Sequence, residues 1–274
     1  MTVISKNPFL TYMERQGVIE GEFKGKVSLK DSDLEKEIIN QLYIISEFHK
    51  KAMGYNDYIG HRLEDKRGRT IEQYKVYIKR VKRKINDIMH NSPQNDFEEL
   101  LLGYGKDYLN RAEKSIKNMY DIGYLEIMKR SMDRNEICLG NTYFNSLRKI
   151  KFIEALNLEK CFYDLVEIDA ATFFRKLMKK NLKLDYKKLV DKFCEFENLD
   201  DRSNVFLQSL IAYPTEFMKC CNKYITSTKY MMYDNKLNIN KSKDKLKKII
   251  RCDYNILCEG GDRKSTRLNS SHRL

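Results

Sequence analysis

The stretch that decides the fold is ICLGNTYFNSL, which runs from Ile137 to Leu147. It separates a long region of helical periodicity from a short apolar segment, and it combines one glycine with several small amide and hydroxyl side chains. Loops of this kind, held on a rigid scaffold, often carry binding or catalytic residues. This loop contains neither a carboxylate nor a histidine. Its function is therefore limited to what its amide, hydroxyl and backbone groups can do.

Helical periodicity dominates the chain on both sides of this loop. Only 12 glycines and 3 prolines occur among 274 residues, so few residues interrupt helices. Apolar residues at alternating steps of three and four predict helices before the loop at 34–53, 71–88, 96–121 and 124–133. The helices predicted after it cover 167–180, 185–197, 202–230, with a kink or break at Pro214, and 242–251.

The remaining segments predict short strands and loops. These are FLTYM at 9–13 as a strand, VIEGEFKGK at 18–26 as a turn or linker, EICL at 136–139 and KIKFIEAL at 149–156 as short β segments, and the lysine- and asparagine-rich 235–248 as a surface loop. The expected fold class is therefore mainly α with a small β insert at about 135–158, an α+β arrangement.

Composition restricts the class of protein and its partners. The formal net charge of +13 favours attraction to anionic surfaces, which nucleic acids, membranes and acidic proteins all provide. No apolar window approaches the length of a membrane span, and the N-terminus lacks the basic-then-apolar pattern of a secretory signal. Seven cysteines, with no C-x-x-C pair, predict reduced thiols in a cytosolic protein.

The helix predicted at 71–88 carries the most concentrated positive charge. The cations opposite its apolar stripe are Lys75, Lys79, Arg80, Lys82, Arg83 and Lys84. This face is either a contact surface for a partner or a phosphate group, or a solvated face on a basic protein. Aromatic residues do not interleave with the charges as stacking platforms would, so nucleic-acid binding is the least favoured hypothesis.

Five stretches read together resemble the CotS-type spore coat proteins, relatives of the aminoglycoside-phosphotransferase branch of the protein-kinase fold. They are ISEFHKKAMGY, LLGYGKDYLNRAEKSI, EICLGNTYFNSL, CFYDLVEIDAATFFRKLMKKN and LIAYPTEFMKCCNKY. Their order and spacing carry the match, which covers about 20–248. The resemblance implies a kinase-like helical C-terminal lobe at 31–259, preceded at 1–30 by a remnant of the N-terminal lobe and hinge linker.

The end of the chain is expected to lie outside this fold. DRKSTRLNSSH, at 262–272, reads like the translation of a common sequencing adapter. We therefore expect 260–274 to be an artefact that contributes nothing to the structure.

In active members of the wider fold, the catalytic loop reads His-x-Asp-x-x-x-x-Asn. The Asp accepts the proton of the attacking hydroxyl and the Asn holds a magnesium ion. The resemblance places Leu139 at the His position and Asn141 at the Asp position. The Asn position falls on Ser146 without a gap, or on Asn145 with a shift of one residue.

The second motif of the family is Asp-Phe-Asp, whose first acid binds magnesium. Here the sequence NLE takes its place, with Asn157 at the metal-binding acid and Glu159 at the second acid. The resemblance also matches Asp164 and Asp169 to acids that chiefly support the loop structurally.

These substitutions remove the expected chemistry. A carboxamide cannot accept a proton as a carboxylate does, and loss of a general base costs about 10²- to 10⁴-fold in rate. Magnesium prefers anionic oxygen ligands, which amides at 141 and 157 do not supply. Only about 20 residues precede the match and no G-x-G-x-x-G occurs, so the phosphate-gripping lobe is expected to be absent or lost by truncation.

The resulting hypothesis is a non-catalytic, kinase-like protein that uses no cofactor and contacts other spore coat proteins. It would reside in the mother-cell cytoplasm and then in the spore coat. The alternative is a small-molecule phosphotransferase that uses ATP and magnesium, with Glu159 supplying one acid. His49 shares a helix stripe with Leu42 and Ile45, and no histidine stands at metal-ligand spacing, so His49 is expected to be a satisfied helix histidine.

Overall fold

The computed structural model describes residues 7–23, 33–56, 63–180, 182, 184–230 and 235–259. The helices in these ranges are α1 (Pro8–Arg15), α2 (Leu34–Ala52), α3 (Arg69–Asn91), α4 (Asp96–Asp121), α5 (Tyr124–Arg134), α6 (Val166–Met178), α7 (Tyr186–Glu197), α8 (Asp201–Ala212), α9 (Thr215–Tyr230) and α10 (Asn235–Glu259). The strands are β1 (Val18–Glu20), β2 (Glu64–Asp65), β3 (Ile137–Cys138), β4 (Leu147–Lys149), β5 (Ile153–Ala155) and β6 (Phe162–Tyr163). The expected mainly α fold is confirmed, but the strands are not confined to the predicted insert at about 135–158, since β1, β2 and β6 lie outside it.

The long helices begin and end where local sequence signals place them. Asn95 caps α4, since its side-chain oxygen accepts hydrogen bonds from the backbone N–H groups of Phe97 and Glu98. Asn198 ends α7 in the left-handed conformation that asparagine tolerates better than most residues. Such signals are local, so the sequence alone predicts the bounds of both helices closely.

Aromatic stacking ties the helices into one core. Tyr74 of α3 stacks on Tyr213 at a centroid distance of 3.7 Å, and Tyr108 of α4 stacks on Phe217 of α9 at 3.7 Å. Tyr213 also donates a hydrogen bond of 3.1 Å to the carbonyl of Tyr74. These large side chains exclude water between α3, α4 and α9, and their burial is the main favourable term in such packing.

Two small sheets hold the loop that opened the sequence analysis. In the first sheet, β1 pairs in parallel with β5, which pairs antiparallel with β4. In the second, β2 pairs in parallel with β6, which pairs antiparallel with β3. The segment 139–146 therefore runs from a strand of one sheet to a strand of the other, and both of its ends are fixed.

The first strand prediction is wrong, because FLTYM lies in helix α1. Asn7 caps this helix by accepting a hydrogen bond from the Phe9 N–H at 2.9 Å, and Pro8 occupies its first position, where no N–H is needed. Phe9 and Met13, four residues apart, are both fully buried. A spacing of four residues puts both side chains on one face of a helix or of a strand, so the Asn7 cap and Pro8 are the local signals that favour the helix.

Three further segments depart from the predicted pattern. The predicted linker contains β1, because Val18 to Glu20 finds a parallel partner in β5. The segment KIKFIEAL forms a hairpin rather than one strand, with Lys149 paired to Ile153 across the turn. The loop predicted at 235–248 is helical within α10, whose Leu246 is buried.

The remaining expectations concern the break at Pro214, the two ends of the chain, the cysteines and the membrane. The break at Pro214 is confirmed, since it separates α8 from α9. The segment 260–274 lies outside the described residues, and the expected loss of the smaller lobe stays a prediction. The five cysteines described with side chains are buried free thiols, as expected. No helix in the described ranges is long and apolar enough to cross a membrane.

Candidate functional site

The loop 139–146 is anchored from beneath by a single buried carboxylate. Asp169 of α6 accepts hydrogen bonds from the backbone N–H of Leu139 and of Gly140, each at 2.8 Å. Gly140 has φ of 80°, and a Cβ at this position would lie 2.9 Å from the Phe162 ring. Glycine is therefore required here, and the expectation that Asp169 supports the loop structurally is confirmed.

The same carboxylate continues into a buried ionic chain. His49 of α2 lies between Asp169 and Glu197, with its Nε2 3.1 Å from the Asp169 carboxylate and its Nδ1 2.6 Å from the Glu197 carboxylate. Burial alone lowers the pKa of His49, but the charge of Glu197 and the hydrogen bonds that His49 donates to both acids outweigh it and raise the pKa to about 10. His49 is thus an imidazolium that donates from both nitrogens, which confirms the expected satisfied helix histidine.

The buried cluster also has the spacing of a metal site, although each of its groups already has a hydrogen-bond partner. The ligand atoms of His49, Cys138 and Asp169 lie within 4.8 Å of one another, a spacing that a metal would accept. A protonated imidazole has no lone pair to offer, however, and burial raises the pKa of the Cys138 thiol well above its usual value. Cys138 instead donates a 3.2 Å hydrogen bond to the Leu165 carbonyl.

A second buried ionic group supports the strand that leads into the loop. Arg130 of α5 donates two hydrogen bonds to Glu136, at 2.9 and 3.1 Å, and two to Glu167, at 3.0 and 2.9 Å. It also donates to the Ser203 hydroxyl at 2.6 Å. Glu136 immediately precedes β3, so this arginine fixes the entry to the loop.

The outer face of the loop presents amides, a hydroxyl and a lysine. Asn141 donates a hydrogen bond to the Ser146 hydroxyl at 2.5 Å, and that hydroxyl donates to the side-chain oxygen of Asn145 at 3.1 Å. Lys176 of α6 donates to the side-chain oxygen of Asn141. Burial, and then the neighbouring Lys179, lower the pKa of Lys176. A cation thus contacts the position where the family motif places its catalytic acid.

The second motif, at 157–159, follows strand β5. The Leu156 N–H donates a hydrogen bond to the Ser146 carbonyl at 2.9 Å, so Asn157 comes one residue after a backbone contact with the loop 139–146. Asn157 adopts the left-handed conformation with φ of 59°, and its side-chain oxygen accepts a hydrogen bond from Lys160 at 3.2 Å. Glu159 is exposed on the 3-10 turn Leu158–Lys160.

Sequence reasoning missed Glu20 and Lys176. The Glu20 carboxylate in β1 accepts hydrogen bonds from the backbone N–H of Asn157 at 2.6 Å and of Leu158 at 3.0 Å. It therefore fixes the second motif as Asp169 fixes the first. No local pattern indicates either residue, because Glu20 lies 137 residues from its partner and Lys176 lies 35 residues from Asn141.

The predicted sites are brought together in part. Asn141, Asn145 and Ser146 form one hydrogen-bonded group, whereas Leu139 is buried and contributes its backbone. Both candidates for the family's metal-binding asparagine, Ser146 and Asn145, lie in this group, so the choice between them stays open.

The basic face of α3 is partly neutralised by nearby acids. Lys75 pairs with Glu72 on the same helix at 2.8 Å. The acids of α4 take two more cations, with Lys82 3.0 Å from Glu113 and the half-buried Lys84 2.7 Å from Glu98. Arg80 donates to Asn222 at 2.8 Å. The exposed Lys79 and Arg83 complete the predicted set.

Comparisons with known proteins bear on the fold. No protein-family model and no curated protein sequence matches the chain. Among solved structures, the chain is similar to an aminoglycoside phosphotransferase from Alicyclobacillus acidocaldarius, with a TM-score of 0.65 and 10% sequence identity. The match covers 92% of this chain and 80% of that chain. At this identity the likeness shows only that the two chains share a fold.

Proposed function

We propose that this chain is a non-catalytic protein of kinase-like fold that acts in endospore coat assembly through contacts with other coat proteins. The fold supports its kinship with phosphotransferases. The resemblance of five ordered stretches to CotS-type proteins supports the coat role. The observation on which the proposed loss of catalysis rests is the neutral Asn141 amide at the position of the motif's acid, with Lys176 as its hydrogen-bond donor.

The electrostatics of the loop face support this proposal. A general base must accept a proton, and the Asn141 amide does not do so. Both oxygens of the Glu20 carboxylate are already used by backbone N–H groups, so that acid is a poor magnesium ligand. Glu159 alone supplies too little negative charge for the metal ions of phosphoryl transfer. We therefore propose that the protein works without ATP and magnesium.

The proposed place of action is the mother-cell cytoplasm during sporulation and later the spore coat. Partner contacts would use exposed surface rather than the loop. The candidate surface is the basic face of α3, where Lys79, Arg80 and Arg83 are exposed. Acidic surfaces on coat proteins would match its charge, and the interaction would weaken with added salt.

ATP turnover and magnesium-ATP binding test the loss of catalysis. We expect purified protein to hydrolyse no ATP and to show no saturable rise in its thermal midpoint with magnesium-ATP. The matched variant carries Asn141→Asp and Asn157→Asp, which restore both motif acids without changing side-chain size. Saturable stabilisation of the unaltered protein by several degrees, abolished by Glu159→Ala, would overturn the proposal in favour of a small-molecule phosphotransferase.

Localisation tests the coat role separately. A tagged copy expressed from its own promoter should be present in coat extracts of mature spores and absent from vegetative cells. A variant carrying Lys79→Glu, Arg80→Glu and Arg83→Glu should fold but fail to be retained in the coat. Equal amounts in vegetative cells and spores would contradict a coat function, whatever the outcome with ATP.

A further inference from the structure

A second cleft lies among the helices, apart from the loop. The helices α4, α6, α7 and α10 form it with the junction between α8 and α9, and it encloses about 810 Å³. Ligand sites in proteins commonly measure about 300–1,000 Å³. None of the described residues that line it belongs to the segment 137–159, so this cleft is distinct from the catalytic-loop site.

The inner walls of the cleft are apolar. Val190 of α7, Ile211 of α8 and Phe217 of α9 line it together with Met178 and Ile249. Val190 and Phe217 are also part of the buried core, so this part of the wall is rigid. An apolar group inserted here would leave water and contact a preformed surface.

The charge around these walls is strongly positive. Seven cationic side chains and one carboxylate line the cleft. That carboxylate, Glu216, is already paired with Lys179 at 2.9 Å. Arg175 lies at the wall, whereas Lys114 and Lys245 are exposed at the rim. Such crowding of like charges is unfavourable unless an anion joins them.

Two buried polar atoms in the lining residues lack hydrogen-bond partners. Among the described residues, nothing pairs with the Tyr186 hydroxyl or with Nε of Arg175. The other end of the Arg175 guanidinium is fixed, since it donates to the Tyr74 hydroxyl at 2.6 Å and to the Leu210 carbonyl at 3.1 Å. Burial raises the pKa of Tyr186 to about 12, so its hydroxyl remains a donor. Leaving such a group unpaired is unfavourable, so an acceptor oxygen that enters the cleft and reaches either atom would be stabilised.

We propose that this cleft binds a small organic anion. Its apolar body lies against Ile211 and Ile249, and its phosphate or carboxylate head lies among the cations beside Arg175 and Lys245. The apolar walls favour a ligand with an apolar body over a bare inorganic anion, and the cations favour an anion over a neutral molecule. This inference does not depend on the proposed coat function.

Calorimetric titration with three matched probes tests the proposal. The probes are 1-naphthyl phosphate, 1-naphthol and inorganic phosphate, which separate the contributions of the apolar body and the anionic head. We expect 1-naphthyl phosphate to bind at one site, about tenfold or more tighter than either of the other two. Inorganic phosphate binding as tightly as 1-naphthyl phosphate, or saturable binding of neither, would overturn the proposal.

Charge variants locate the binding. Lys245→Gln with Lys248→Gln should weaken 1-naphthyl phosphate binding about tenfold, because both exposed cations line the cleft. The matched control, Lys106→Gln with Lys129→Gln, removes the same charge from residues that do not line the cleft and should leave the affinity unchanged. Both pairs are exposed, and thermal melts would show that each variant folds. An equal loss of affinity in both double variants would mean that net charge alone attracts 1-naphthyl phosphate, and it would contradict the inference.

Discussion

The two sides of the loop 139–146 differ in ionic character. Beneath it, Asp169, His49 and Glu197 form a buried chain of ionised groups in direct hydrogen-bond contact. On its outer face, Asn141 and Ser146 are neutral and the charge comes from Lys176. The charges beneath the loop hold its backbone through hydrogen bonds. Charges on the outer face would matter only for proton transfer or metal binding. The comparison teaches that the residues that hold the loop in place differ from those that form its outer face.

The largest expected effect is on the underside. Asp169→Asn leaves two backbone N–H groups and the His49 imidazolium without their anionic acceptor. We expect the free energy of unfolding to fall by about 3–5 kcal/mol, as for other broken buried ion pairs. Urea denaturation measures this.

The matched control is Glu159→Gln on the exposed turn, which should change stability by less than about 0.5 kcal/mol. A similar decrease in the free energy of unfolding of Asp169→Asn and Glu159→Gln would contradict the proposed difference between the two sides of the loop.

The pH dependence of stability should show an intermediate effect. The pKa of His49 is raised to about 10 in the folded protein, from about 6.5 when unfolded. Its contribution is therefore fully present below about pH 6.5 and is lost as the pH rises toward 10. Burial also raises the pKa of Asp164, to about 8, and so adds a loss of stability between its unfolded value and that pH.

Urea titrations across this range measure the slope. His49→Gln should flatten the decline above pH 6.5, whereas the exposed His90→Gln should leave it unchanged. A variant at His49 with the same alkaline decline as the unaltered protein would show that the imidazolium is not the source.

The smallest effect is expected on the outer face. Asn141→Asp would pair a carboxylate with the half-buried Lys176 and should change stability by about 1 kcal/mol or less. A double-mutant cycle with Lys176→Met isolates the pair. A coupling energy above about 3 kcal/mol between positions 141 and 176 would show that ion pairs on the outer face stabilise the fold as much as those beneath the loop, which would contradict the proposed difference.

Local signals in the sequence predict much of the helical frame. The bounds of α4 follow from the Asn95 cap and a regular apolar stripe, and the break between α8 and α9 follows from Pro214. Predictions failed where long-range pairing decides the structure. The strand β1 exists because β5 lies beside it, and no periodicity within three residues indicates this.

The candidate site was predictable only in part. The positions of Asn141, Asn145 and Ser146 follow from a motif within one loop, and the structure groups them. Glu20 and Lys176 reach the site from β1 and α6, so the motif cannot reveal them. The organic-anion cleft also escapes sequence reasoning, because its lining comes from α4, α6, α7, α10 and the junction between α8 and α9.

The sequence by itself determined the mainly helical class, the position of the loop and the absence of acids from it, since these depend on residue type and local spacing. The tertiary structure decided that Asp169 holds the loop, that His49 is charged, and that a lysine contacts Asn141. The physical reason is that hydrogen bonds and ion pairs depend on distances in space. Residues far apart along the chain acquire those distances only when the helices pack.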